Sequence, residues 1–288
     1  MSTDLPWLDP AGQDVVASWF GPVDLVGSCP GGPTGTRVLH LRAGVGDIAL
    51  TIYGADVHHG DRELDAHEQV LARLAGHGRT PRLLHADLER RLLATTWLPG
   101  DVVEGAAAAG DPETYRQAGA VLARLHATGA RVDGDWEAAQ DARALARLAG
   151  AHGIAPPVVS RLREVIGTHA HPPVRVVPCH GDFRPRSWVI DDEGIVRVID
   201  FGRFAWRPPA TDLARLDAQQ WIGRPDLAAA FVDGYGADPR GGPAWRRILV
   251  REAIGTAVWA HRVGDGASEA RGRRMIAAAL DAGEPAAL

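Results

Sequence analysis

The chain contains no lysine: all 31 basic residues among its 288 are arginine. A compact, strongly hydrated ammonium is therefore unavailable, and every fixed cationic contact falls to a planar guanidinium. Cysteine is scarce as well. Cys29 and Cys179 lie far apart, a count and spacing that do not suggest a disulfide framework or a zinc site. No run of about twenty uninterrupted apolar residues occurs, so no membrane span is expected. Met1 to Pro6 lack the basic start and apolar run of a secretory leader, which with the few cysteines makes a reduced, cytoplasmic setting the expectation. The Walker pattern of a P-loop is missing too. A net charge of −5 gives nucleic acid little to hold and leaves a neutral or cationic small molecule as the expected partner.

What is present fits a globular protein. The chain is 45% hydrophobic and long enough for one large domain or two lobes around a cleft. Residues 12–20 carry Val15, Val16, Trp19 and Phe20 at helix spacing. A β-rich section follows, with strands over 23–26, 37–42, 48–53, 81–84 and 92–97. It includes a Gly/Pro-rich loop from Ser28 to Thr36, and a helix over 62–75 interrupts it. Leu98-Pro99-Gly100-Asp101 breaks the pattern. Beyond it, helices are expected over 112–127, 137–149, 157–169, 212–220, 225–234, 243–263 and 268–282, with a loop at the alanine run Ala106 to Ala109. A sheet-based first part and a mostly helical second part make an α+β chain rather than a Rossmann sheet.

The most informative segment joins His180-Gly181-Asp182 to Asp200-Phe201-Gly202, eighteen residues from one aspartate to the next. Between them, Trp188 to Ile190 and Ile195 to Ile199 read as two strands around the turn Asp191-Asp192-Glu193-Gly194. Antiparallel pairing returns the second strand to the start of the first, which brings Asp200 close to the loop of Asp182. One carboxylate can take a proton while the other holds a divalent cation, the equipment of phosphoryl transfer.

This run, with Thr211-Asp212-Leu213-Ala214 after it, resembles the aminoglycoside phosphotransferase family, the small-molecule branch of the protein-kinase-like fold. The resemblance implies a bilobal fold, with an N-lobe over 1–98 for nucleotide and a C-lobe over 99–288 for the catalytic loop and acceptor. It implies Asp182 as catalytic base, Asp200 as principal Mg²⁺ ligand and Ser187 at the second metal contact, where the family has asparagine. It implies Ala49 against the base of ATP or GTP, Thr96 and Leu98 in the hinge, and Glu68 as the helix carboxylate facing the nucleotide. His180 and Asp212 take structural roles, and Arg184 and Arg186 flank the loop. The implied acceptor is a hydroxyl on a small polar molecule, an antibiotic in a self-resistance setting being the family's suggestion, with cationic groups held by acids such as Asp217, Asp226, Asp233, Glu252, Asp265 and Glu269. Trp221, Trp245 and Trp259 are core or pocket residues. Oligomeric state has no signature.

Two departures matter, and Ser187 in place of the asparagine is the first. Thr51 stands where the family places the lysine that holds the α- and β-phosphates. Arg37 or Arg42 reaches the phosphates instead, or the strand register differs, or catalysis has been lost; the arginine substitute is the preferred expectation. A nucleotide-binding pseudokinase with a regulatory role, and a same-fold enzyme acting on a peptide or without phosphoryl chemistry, are the alternatives.

Overall fold

Asp9 starts the first helix by a bond its position dictates. Its carboxylate accepts the Gly12 N–H at 2.7 Å while Pro10 takes the first helical position, where a missing N–H costs nothing. This helix, α1 (Pro10–Phe20), opens a computed structural model that describes residues 5–31, 35–54 and 58–281. Strands β1 (Asp24–Gly31), β2 (Thr36–Ala43) and β3 (Gly46–Ile52) follow. Then come α2 (His58–Ala66), a π-helical turn His67–Leu71, α3 (Ala72–Leu74), β4 (Leu83–Asp87) and β5 (Leu92–Thr96). The five strands form one antiparallel sheet in the order β1-β2-β3-β5-β4.

Alternation divides the faces of this sheet. Leu39, Leu41, Ile48 and Leu50 are fully buried in a cluster with Val16 of α1. The register pairs Val38 with Thr51 and His40 with Ala49 on the opposite face. β1 also runs into the stretch expected as loop, with Ser28 to Gly31 paired to Leu39 through Thr36. Gly32, Pro33 and Thr34 of that expected loop lie outside the described residues.

After residue 100 the chain becomes mostly helical: β6 (Asp101–Val102), α4 (Pro112–His126), β7 (Arg131–Asp133), α5 (Trp136–Arg147), α6 (Pro156–Gly167), β8 (Val174–Cys179), β9 (Trp188–Ile190), β10 (Val196–Val198), β11 (Ala205–Arg207), α7 (Ala214–Ala218), α8 (Pro225–Tyr235), α9 (Gly242–Val263) and α10 (Gly266–Asp281). The fold is α+β, as expected, and the boundary drawn at residue 98 falls in the connection from β5 to β6. Two local expectations change. The alanine loop closes into a 3₁₀ turn over Ala107–Gly110. Val174–Cys179, assigned no structure from sequence, is the middle strand of a small sheet between β7 and β11.

Helices α4 and α8 cross so closely that a β-carbon at Gly119 would collide with the Phe231 carbonyl, and one at Gly234 with that of Arg116. Around this crossing, Tyr115, Phe183, Trp188, Phe201 and Phe231 form a fully buried aromatic core, each ring removing a large apolar area from water. That core seats both motif loops, through Phe183 and Phe201. A second brace joins α5 to α9. Glu137 receives two bonds from Arg247 at 2.9 Å, and Asp141 receives one from Arg251 at 2.7 Å. Among the described residues no helix is long and apolar enough to cross a membrane.

Candidate active site

β8 delivers His180, and the His-Gly-Asp turn is pinned from three sides. Asp212, fully enclosed, accepts the His180 N–H at 2.8 Å and the Gly181 N–H at 2.6 Å. His180 Nε2 donates to the Ile199 carbonyl at 2.9 Å, while its Nδ1 faces the Asp182 N–H at 3.2 Å, which sets a neutral imidazole with its proton on Nε2. Gly181 has φ +84°, and a β-carbon there would strike the Arg203 carbonyl. Glycine is therefore required by conformation and by space. The hairpin pairs Trp188 with Val198 and Ile190 with Val196, and Ile199 N–H bonds the Ser187 carbonyl at 2.9 Å. The two motif loops are thus bonded directly to each other, through His180 to Ile199 and Ser187 to Ile199.

Asp182 is buried, with 2% exposure, inside a cage of arginines. Arg184 Nε stands 3.0 Å from Oδ1, Arg215 bonds the same oxygen, and Arg186 bonds Oδ2. Burial alone would raise this carboxyl, but Arg215, Arg184 and Arg186 together outweigh it and hold Asp182 far below the usual carboxylate range. Arg215 also bonds Glu252 at 2.6 Å. Arg203, which follows Asp-Phe-Gly and packs against Gly181, feels both Asp182 and Asp200. Its guanidinium is pushed down by burial and by Arg215. Asp200 differs in every respect. It is exposed, and it holds φ +65°, a left-handed conformation that aspartate tolerates better than most residues and that concentrates at functional sites.

The nucleotide side has no cation where one was expected. From α2 the enclosed carboxylate is Glu63, whose Oε2 receives the Tyr53 hydroxyl at 2.7 Å; Glu68 is exposed. The helix begins at His58, four residues before its expected start, and five residues along a helix turn a side chain by about 140°, so Glu63 and Glu68 cannot share a face. Burial first, then the charge of Asp200, raise Glu63 to about 7. Arg37 cannot replace the missing lysine. Its register partner is Ile52, on the sheet face opposite Thr51, and its guanidinium lies 4.0 Å over the Trp7 ring. Arg42 shares the face of Thr51 but bonds Asp47 at 3.1 Å at the far end of the strand pair. No ion pair to Glu63 occurs among the described residues.

Ser187 does not present a metal ligand. It is fully buried, and its hydroxyl donates to the Asp182 carbonyl at 3.2 Å. Asp200, exposed and turned toward Glu63, suits a Mg²⁺ held by one carboxylate, phosphate oxygens and water. The group His126, Cys179 and Asp212 brings donor atoms within 4.8 Å of one another, yet His126 bonds Asp212 and Tyr235 at 3.1 and 2.7 Å and Asp212 caps the loop. It is a buried hydrogen-bonded node. Near the expected base site, His40 stacks on Trp97 at 3.9 Å beside Ala49. Thr96 N–H and Trp97 N–H already bond the Arg82 and Asp47 carbonyls, while Leu98 N–H has no partner among the described residues.

A cavity of about 460 Å³ opens between the Asp182 loop and helices α9 and α10. Trp259 lines it, whereas Trp221 and Trp245 belong to the core clusters. Of the acids suggested for cationic ligands, Glu252 and Asp265 reach the lining. Asp217 and Asp226 are bonded by Arg240 and Arg224. The arginines of this cavity went unnoticed in the sequence apart from Arg184 and Arg186; the signal for two others was their place in the motifs, Arg203 just after Asp-Phe-Gly and Arg215 just after Asp-Leu-Ala.

Comparison with known proteins adds the relatives. The sequence model of the phosphotransferase enzyme family matches residues 30–249. A macrolide 2'-phosphotransferase from Brachybacterium faecium superimposes with 22% identity and a TM-score of 0.58, over 94% of this chain and 97% of that one. A choline kinase from Streptococcus pneumoniae gives 12% identity and a TM-score of 0.64, over 94% and 97%. A thermostable mutant of the aminoglycoside phosphotransferase APH(4)-Ia, in ternary complex with ADP and hygromycin B, gives 15% and 0.63, over 94% and 98%. At these identities the likeness is one of fold. No curated protein matches the chain significantly.

Proposed function

The chain belongs to the phosphotransferase enzyme family, and from that membership we propose that it moves the γ-phosphoryl group of ATP or GTP to a hydroxyl of a small polar molecule. The observation that supports this reading is Asp182 itself: an ionised, enclosed carboxylate held by Arg184, Arg186 and Arg215, all three of which line the cavity.

In this reading the acceptor hydroxyl lies against Asp182, which orients it and takes its proton as the new oxygen–phosphorus bond forms. The bond from the γ-phosphorus to the β–γ bridging oxygen breaks, and the nucleoside diphosphate leaves. A carboxylate held so low is a weak base, and that suits a loose transition state in which proton transfer comes late and positioning matters most. Arg203, which feels both Asp182 and Asp200, would supply the positive charge that Thr51 cannot. The base would lie against Ala49, with Leu98 N–H and the Thr96 carbonyl as backbone contacts. Asp200 would hold Mg²⁺, which when bound offsets the charge of the phosphate oxygens.

The test is Asp182→Asn. Mg²⁺-dependent nucleotide turnover, with or without acceptor, should fall by about 10³-fold or more, while the nucleotide dissociation constant stays within about threefold of wild type. Undiminished turnover would remove Asp182 from the reaction.

A second reading, a nucleotide-binding pseudokinase, rests on three particulars: Thr51 in place of the lysine, Ser187 turned into the loop, and Asp182 closed in by guanidiniums. Stabilisation of the protein by Mg·ATP with no phosphoryl transfer to any acceptor would favour it. An antibiotic acceptor with a self-resistance role is the family's suggestion, and the charge of the cavity argues against a cationic one.

A further inference from the structure

Seven of the sixteen residues lining the cavity are arginine, where the chain's overall frequency of 31 in 288 would place about two. Three of them, Arg184, Arg186 and Arg215, are engaged with Asp182, and Arg203 feels both Asp182 and Asp200. The remaining three form a far wall contributed by three separate helices: Arg147 ends α5, Arg262 lies on α9 and Arg271 on α10. None of these three makes an ion pair among the described residues. Arg271 has a long bond to Gln219 Oε1 at 3.4 Å.

The carboxylates of the lining do not balance them. Glu252 is bound to Arg215 at 2.6 Å and is felt by Arg147 as well, and Asp265, which accepts the Ser268 N–H at 3.0 Å at the start of α10, feels Arg271, so three carboxylates and Asp182 face seven guanidiniums. Glu104 is the third. The far wall is also held in place without a ligand, because the buried Glu137–Arg247 and Asp141–Arg251 pairs lock α5 to α9. Guanidiniums crowded together, short of counter-charge and fixed by their scaffold are organised for an oxyanion, which they grip with paired N–H donors. On the phosphotransfer reading Arg203, which feels Asp200, would face the nucleotide, and the far wall is left for the acceptor.

We propose that the acceptor is itself an anion: a hydroxylated molecule of about sugar size whose phosphate or carboxylate binds Arg147, Arg262 and Arg271 while its hydroxyl reaches toward Asp182. The fate of the hydroxyl rests on the phosphotransfer reading above; the anion site does not.

Four probes of similar size separate charge from shape: glucose 6-phosphate, gluconate, glucose and glucosamine, titrated calorimetrically into the nucleotide-free protein. Glucose 6-phosphate should bind at least tenfold more tightly than glucose, and glucosamine no more tightly than glucose. Gluconate decides whether the wall prefers phosphate or accepts carboxylate as well. The anion preference should shrink as NaCl rises, because the charges involved face solvent. In the Arg147→Gln/Arg271→Gln double variant it should fall below about threefold, with an unchanged melting curve confirming the fold. Glucosamine binding as tightly as glucose 6-phosphate would overturn the proposal. So would four probes that bind equally or not at all, or an anion preference that survives the double substitution. Anion binding without any phosphoryl transfer would instead sink the phosphotransfer reading and leave this site standing.

Discussion

Asp182 and Asp200 sit eighteen residues apart on the two ends of one hairpin, yet their surroundings are opposites. Asp182 is enclosed and faces Arg184, Arg186 and Arg215; Asp200 is exposed, and the nearest enclosed carboxylate, Glu63, has a tyrosine hydroxyl for a partner. The fold relatives share the architecture, and here seven arginines line the cavity beyond the Asp182 loop. Scaffold and charge distribution are therefore separable. The same hairpin presents two carboxylates whatever the guanidiniums around it do, and the arginines set the charge around each.

Stability measurements offer the sharpest way to break this contrast. Asp182→Ala leaves crowded guanidiniums, two of them largely buried, without their counter-charge, and should cost about 3–5 kcal/mol in denaturant unfolding. Asp200→Ala removes an exposed group and should cost less than about 1 kcal/mol. Equal costs would mean that the cage contributes nothing.

Glu63 gives the next largest effect, through pH. Its ordinary value is 4.5 and its folded value about 7, so between these pH values the folded protein keeps a proton that the unfolded chain releases. Stability contributed by this group is complete below pH 4.5 and is lost as pH rises through 7. Glu63→Gln should remove that decline, which is on the order of 2–3 kcal/mol, in melts followed from pH 4.5 to 8. Thr51→Lys tests the other half of the contrast. An ammonium placed toward Glu63 and Asp200 should tighten Mg·nucleotide binding by roughly tenfold, about 1.4 kcal/mol. The smallest effects are expected at Arg37 and Arg42. Replacing either with alanine should leave nucleotide affinity unchanged, and Arg37→Ala should cost about 0.5–1 kcal/mol of stability through its lost stacking on Trp7.

The sequence was most legible where a rule links neighbours. Strand alternation and a four-residue turn sufficed to bring Asp182 and Asp200 onto bonded loops, and helix periodicity located α4, α8, α9 and α10. The same rules, applied with a wrong origin, misplaced other residues. Starting α2 four residues late made Glu68 the expected inward carboxylate, whereas the enclosed one is Glu63. Overlooking that Arg37 alternates with Val38 left it on the wrong face of the sheet. Val174–Cys179 was silent as a strand because Arg175 and Pro178 interrupt its apolar pattern. The arginine wall was beyond reach for a different reason. Positions 147, 262 and 271 come from separate helices, and no spacing relates them until the helices have packed.

The backbone contact between Gly181 and Arg203 carries a consequence for redesign. With no room for a side chain at Gly181, the His-Gly-Asp turn and the segment after Asp200 form one packed unit, and neither can be remodelled without the other. On the acceptor site proposed above, new preferences, whether selected in nature or engineered, are written on α5, α9 and α10, which can change residue by residue while that unit is left untouched.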